Sequence, residues 1–197
     1  DLMHLAEAAE GQIYLWGSPG SGRTHLLEAC VHHRPGESCF LSAAELVSLD
    51  PEMLQGLEQY RLVVIDDVDL FKRAAPWEEA LFHLYNRLRA AGGAVVYSAA
   101  TPPGEAGFLL ADLSSRLAAG PVYRLQALDD EGLIALLQGR SKALGLEMPL
   151  DVARYLLTRS PRTPAALLEA LDRLDQQAMV LQRRLTIPFV RSLTGGA

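Results

Sequence analysis

Cysteine is nearly missing from this chain, with two in 197 residues, Cys30 and Cys39. That excludes a disulfide-dense scaffold, and the two thiols, on an expected helix and an expected strand, read as buried and reduced in a cytosolic protein. No apolar run approaches the ~20 residues that a membrane-spanning helix needs, and no signal-peptide pattern opens the chain. The five histidines show no ligand spacing, so no structural metal site is expected. His32-His33 reads instead as the end of a helix, near its negative pole. No internal repeat or low-complexity tract is visible. The chain starts at Asp1 without a methionine, and the expectation from this is that an N-terminal portion is missing.

What is present is a core. Hydrophobic residues make up 49% of the chain, which rules out disorder, and the length suits one α/β domain with a small helical appendage. The net charge of −6 is unevenly spread. Residues 1–139 carry 9 Lys/Arg against 19 Asp/Glu, whereas residues 140–197 carry 9 against 5. An acidic body argues against binding duplex nucleic acid through the whole surface. The basic C-terminal part reads as a solvated helical face, with nucleotide phosphates or an acidic partner as the other uses of such charge.

The most informative stretch is Ile13-Tyr-Leu-Trp-Gly-Ser-Pro-Gly-Ser-Gly-Arg-Thr24. An apolar strand runs into Gly17, and Gly17, Ser18, Pro19, Gly20, Ser21, Gly22, Arg23 and Thr24 fit the spacing of a phosphate-binding loop. A helical pattern through His25, Leu26 and Leu27 follows at once. Glycines let backbone amides converge on phosphate oxygens, and the helix N-terminus adds further amides and a favourable dipole. Arg23 stands where such loops usually carry lysine, and Thr24 supplies a hydroxyl for Mg²⁺. At ordinary glycine usage the pattern arises by chance in roughly one chain in a hundred of this length. The bland alternative is a glycine-rich strand–helix turn.

Residues 38–43 read as a second strand, followed by helical patterns over 44–49 and 51–59 with Pro51 in a first turn after Asp50. The run Arg61-Leu-Val-Val-Ile-Asp66-Asp67 is a buried parallel strand delivering two carboxylates to its C-terminal edge. Asp66 is placed to hold Mg²⁺ through water, and Asp67 to orient an attacking water. A long helix opened by Pro76 and Trp77, over Glu78 to Ala91, ends at Gly92-Gly93. A strand over 94–98, a short helix capped by Asp112 and a strand over 122–126 complete the alternation. The expected fold is α/β, an open and mostly parallel five-stranded sheet over residues 1–127. From residue 128 to 197 the pattern is all helical: 129–144, 149–159, 163–184 and 188–193, with a frayed end after Thr194.

Taken together, these stretches resemble the AAA+ ATPases, and within them the branch of the replication initiator DnaA and its related regulators. The residues carrying the resemblance are Leu15-Trp16-Gly17 through Leu27, Leu84-Tyr85-Asn86-Arg87, Pro102-Pro103 and Asp112-Leu-Ser-Ser-Arg116-Leu117. Leu171-Asp-Arg-Leu-Asp175 and Leu185-Thr-Ile-Pro-Phe-Val190 complete the set, spanning nearly the whole chain in order. Arginine at the lysine position is itself a feature of those regulators.

The resemblance implies a sheet domain with a helical lid, binding ADP or ATP with Mg²⁺. It implies that Arg116 is an arginine finger, presented to a nucleotide on a neighbouring subunit. A planar guanidinium can bridge phosphate oxygens, and a finger in trans is worth on the order of 10³–10⁵ in rate in other phosphoryl-transfer systems. Without the resemblance, Arg116 reads as a surface arginine pairing with Asp112 one turn away. Implied partners are DnaA and the DNA polymerase III sliding clamp, the latter through an N-terminal peptide of which nothing precedes Gly11. AAA+ modules commonly associate through the finger edge, which makes a homo-oligomer one option and leaves the oligomeric state open, and the resemblance implies a cytoplasmic, replisome-associated location. No room for a DNA-reading helix-turn-helix follows Val190, so sequence-specific DNA binding is not expected. Two departures bear on activity. An aspartate expected near position 100 is Ala100, and the lid arginine expected over the γ-phosphate is Ala165, with Arg162 the nearest substitute. They favour a nucleotide-holding module that acts on another protein's ATP. A self-hydrolysing ATPase of helicase-loader type and a non-catalytic adaptor are the alternatives.

Overall fold

The computed structural model describes residues 11–181 and 185–194. Any N-terminal peptide before Gly11, the C-terminal end of the helix expected to reach Arg184, and the expected frayed end after Thr194 lie outside them. The chain divides into two compact units, Asp1–Pro19 with Arg23–Gln126, and Gly20–Gly22 with Ala127–Ala197.

The first unit is built on five strands: β1 (Gly11–Gly17), β2 (Ser38–Ser42), β3 (Leu62–Asp66), β4 (Ala94–Ala99) and β5 (Val122–Leu125). They pair in parallel throughout, in the order β2-β3-β4-β1-β5. Parallel strands need crossovers, and those are α1 (Arg23–His33), α2 (Ala43–Leu46), α3 (Ala75–Ala90) and α4 (Ala111–Leu117), with short 3-10 turns between some of them. Alternation with period two sorts the strand residues onto two faces. Tyr14, Val63, Ile65, Val95 and Tyr97 join Leu81, Leu84 and Leu88 of α3 and Leu113 and Leu117 of α4 in one core. Ile13, Leu15, Leu62, Val64 and Val96 join Leu27 and Cys30 of α1 in another. Every residue of β3 is buried, which accounts for its unbroken apolar reading.

Differences from the sequence reading are local. The stretch 51–59 is two 3-10 turns, Pro51–Leu54 and Leu57–Gln59, parted by Gly56 at φ 79°. Asp50 does cap the first of them, accepting from the Glu52 amide at 2.9 Å. Helical pattern over 44–49 survives only as the single turn α2. Asp112 is not a cap: it lies in the first turn of α4, whose N-cap is Leu110 with no side-chain bond. Cys30 is fully buried but Cys39 is only half-buried, both being free thiols that burial pushes above their ordinary titration range. His32 and His33 do close α1.

The second unit is helical, with α5 (Asp130–Ala143), α6 (Leu150–Arg159), α7 (Pro164–Leu181) and α8 (Ile187–Thr194). Asp129 caps α5 by accepting from the Gly132 amide at 2.8 Å. Leu133, Leu137, Val152, Leu156, Leu167, Leu171 and Phe189 recur at helical spacing and form its core. Part of the basic charge here is paired on the surface, as Arg140 with Asp172 at 3.3 Å and Arg162 with Asp130 at 3.0 Å.

Candidate phosphate site and arginine helix

Three strands deliver the site to one sheet edge. Gly17 ends β1, Asp66 ends β3, and Ser98 and Ala99 end β4, which lies between those two. Ile65 pairs with Tyr97, so one step further along Asp66 comes level with Ser98. In open α/β sheets ligands bind at this carboxyl edge, where strand order reverses.

The loop after β1 has the backbone that phosphate binding needs. Gly20 and Gly22 take φ of 81° and 90°, a region that costs glycine nothing. Among the described residues the buried Ser21 Oγ has no hydrogen-bond partner, and a phosphate oxygen would supply one. Arg23 opens α1, while Ser18, Pro19, Thr24 and His25 are exposed. A glycine-rich turn of this backbone leading into a helix N-terminus, with a hydroxyl and a cation beside it in sequence, is of the kind that takes a phosphate chain.

The acidic side is tightly organised. Asp66, 6% exposed, accepts from Thr24 Oγ1 at 2.6 Å through one oxygen and from the Ser98 hydroxyl through the other. Ser98 Oγ in turn accepts the Asp67 amide at 2.9 Å. The Arg23 guanidinium donates to the Gly17 carbonyl at 2.7 Å and to Asp67 Oδ1 at 2.8 Å. Burial raises the Asp67 carboxyl above its ordinary value; Arg23 opposes this, and Asp66 and Asp69 add to it. Asp67 also sits in the left-handed region, φ 53°, just past the strand. Thr24 and Asp66 are therefore side by side, as a magnesium ion on a bound phosphate requires, and Asp67 faces Arg23.

Sequence reasoning missed Ser98. It noted only that an aspartate expected near position 100 is alanine, yet the hydroxyl two residues earlier meets the Asp66 carboxylate and the Asp67 backbone amide. No sequence signal marks it, because the pairing depends on the register of β4 against β3. At position 100 the backbone replaces a side chain, for the Ala100 amide donates to Asp69 Oδ2 at 3.2 Å. Tyr14, on the same side of the sheet, donates to the Thr101 carbonyl at 3.0 Å.

Arg116 lies on α4, half-buried. Its guanidinium carbon stands 5.8 Å from the Phe82 ring centre and 5.5 Å from that of Tyr85, both on α3, within cation–π reach. Among the described residues the guanidinium makes no hydrogen bond or ion pair, so the pairing with Asp112 does not form. Arg162, the tentative lid residue, is exposed and bound to Asp130 of α5 through both carboxylate oxygens at 3.0 and 3.2 Å.

Two buried polar side chains flank the arginine helix, and neither was singled out from sequence. Glu78 of α3, 1% exposed, accepts from the amides of Arg73 at 2.7 Å, Leu109 at 3.1 Å and Leu110 at 2.7 Å. Gln12 of β1, 8% exposed, donates its amide to the carbonyls of Arg116 at 2.7 Å and Leu117 at 3.1 Å. Its own Oε1 is buried with no partner among the described residues. Leaving such an acceptor unpaired costs about 1–3 kcal/mol, which the two donated bonds offset.

Comparison with known proteins agrees with this geometry. The lid domain of Hda matches residues 129–193, and the bacterial DnaA ATPase domain matches residues 47–124. Among solved structures, domain III of the Thermotoga maritima replication initiation protein DnaA superposes with a TM-score of 0.73 at 18% identity. That match covers 98% of this chain and 87% of that one. AMPPCP-bound DnaA from Aquifex aeolicus gives 0.68 at 20% identity, over 92% of this chain and 61% of that one. A Thermotoga maritima RuvB variant gives 0.68 at 18%, over 97% and 64%. The chain spans 59% of the length of the initiator bound to AMPPCP and single-stranded DNA, which it also resembles. At such identities the solved structures establish the AAA+ fold, and the two family matches establish the branch. The chain is a DnaA-related AAA+ protein of the Hda type.

Proposed function

We propose that this protein is a nucleotide-holding regulator of the replication initiator DnaA, acting on DnaA's ATP rather than on its own. The observation carrying this reading is the state of Arg116. Among the described residues this half-exposed guanidinium has no ion pair or hydrogen bond and rests on two aromatic rings, although Asp112 is one turn away. An arginine so placed keeps its five donors for an external anion, and a triphosphate on a second subunit is the anion that the DnaA branch supplies.

The chain's own phosphate site supports a holding role. Gly17 to Thr24, with His25 beside them, take the phosphates of ADP or ATP, and Thr24 and Asp66 take Mg²⁺, which neutralises phosphate charge when bound. Asp67 is the residue placed to orient a water, but Arg23 engages it at 2.8 Å. A carboxylate so engaged is a poor base, so turnover by this chain alone is expected to be weak. Arg162 serves as the lid contact once it leaves Asp130. The same reading takes the sliding clamp on DNA as the platform and lower re-initiation as the outcome.

The test compares ATP turnover by this protein, by DnaA, and by the mixture with clamp-loaded DNA. Turnover that rises only in the mixture, and is lost in Arg116→Ala with nucleotide affinity intact, supports the proposal. The expected loss is about 10³-fold or more in the stimulated rate. Full stimulation by Arg116→Ala, or turnover by this chain alone that matches the mixture, overturns it.

A further inference from the structure

The arginine helix is short, and its own bonds do not explain its placement. α4 has seven residues, so most of its amides and carbonyls fall among the unpaired terminal groups of a helix. No side chain of the helix caps its start. Two side chains from elsewhere in the sheet unit take over both ends. Glu78 holds the amides of Leu109 and Leu110, the latter being the N-cap residue, while Gln12 holds the carbonyls of Arg116 and Leu117. Glu78 is on the same helix as Phe82 and Tyr85, four and seven residues before them, so one stripe of α3 both anchors the helix start and carries the rings beneath the guanidinium. Gln12 grips the carbonyl of Arg116 itself, leaving that residue's backbone little freedom to shift.

The chemistry of the two anchors suits alignment more than burial. A methionine at position 12 would fill a similar volume without leaving Oε1 unpaired. A carboxylate at position 78, buried to 1%, is matched by three backbone donors from the segments before α3 and before α4.

We infer that Gln12 and Glu78 are positioning residues for Arg116, fixing the two ends of its helix so that the guanidinium meets a partner subunit's nucleoside triphosphate in one orientation. The inference rests on the proposed trans role of Arg116. Neither residue touches the reacting atoms. A displacement of about 1 Å at a catalytic group costs on the order of 10²-fold in rate, so small releases at either end are costly.

The test uses the full protein with DnaA and clamp-loaded DNA, and separates the maximal stimulated rate from the concentration of this protein giving half of it. Gln12→Met removes both donors. Glu78→Gln keeps the shape but turns an amide toward the Leu110 N–H. Each is expected to lower the maximal rate by about tenfold to a hundredfold while leaving the half-maximal concentration and ADP affinity unchanged. Arg116→Ala is run alongside. If it keeps full stimulation, the trans reading fails and takes this inference with it. If it loses stimulation while both anchor variants keep the wild-type maximum, the positioning role alone is overturned. A change confined to the half-maximal concentration also overturns it, because that marks a binding surface. Amide hydrogen exchange on the unmodified protein is the second measurement, needing no variant to fold. Protection of the Leu110 N–H comparable to the central strands supports the anchor, and exchange as fast as an exposed loop overturns it.

Discussion

Arg23 and Asp67 form an ion pair at 2.8 Å, while a second nitrogen of the same guanidinium donates to the Gly17 carbonyl. One side chain thus ties the start of the phosphate loop to the end of β3. Lysine, with a single ammonium, cannot hold both positions in that fork geometry.

Arg23→Ala is expected to weaken ADP and ATP binding, because the loop loses its only charged donor within Gly17 to Thr24. Ligand stabilisation of the wild type reaches about 2.7 kcal/mol at a hundredfold excess over the dissociation constant. Thermal melts with and without ADP read this directly. The wild-type shift should be largely lost in the variant, and an equal shift in both would show that Arg23 does not contact the nucleotide.

Asp67 sets a pH dependence. Its folded-state carboxyl is raised above the ordinary 3.8, chiefly by burial, with Arg23 acting against the rise. A raised value means the folded form binds the proton more tightly than the unfolded form. The resulting stabilisation is fully present below about pH 3.8 and is lost as pH rises through the folded value. Asp67→Asn lacks this component. The stability of the wild type minus that of the variant, from denaturant melts, should therefore be larger near pH 3.8 than at pH 7.

Ser98→Ala removes a hydroxyl that Asp66 and the Asp67 amide both use. Leaving those buried groups short of a partner should cost about 1–3 kcal/mol in denaturant unfolding. Nucleotide affinity that depends on Mg²⁺ should fall as well, since Asp66 loses its fixed orientation. Equal metal dependence in both proteins would argue that Thr24 alone orders that side.

Gly120 has a packing role rather than a conformational one. A Cβ there would lie 2.4 Å from Gln12 Cγ and 2.7 Å from the Gln12 carbonyl oxygen. Gly120→Ala should destabilise by about 1–3 kcal/mol through overpacking, lowering the melting temperature by about 2–4 °C per kcal/mol at this chain length. Because the strain falls on Gln12, it should also reduce the protection of α4 amides against hydrogen exchange more than that of β3 amides.

The amino-acid sequence by itself determined the strands, the phosphate loop and the change to an all-helical second part. Those features are written in local periodicity: buried parallel strands are continuous apolar runs, and a loop that wraps phosphate needs glycine at set intervals. It also singled out Asp66 and Thr24, whose side chains the fold brings to 2.6 Å of each other. Tertiary structure alone decided which groups meet. Ser98 reaches Asp66 only through the strand order that puts β4 between β1 and β3. Gln12 and Arg116 are 104 residues apart in the chain, and Glu78 and Leu110 are 32 apart. A hydrogen bond across such distances leaves no mark on the spacing of either partner, because its geometry is set by how helices pack on the sheet and not by the local backbone.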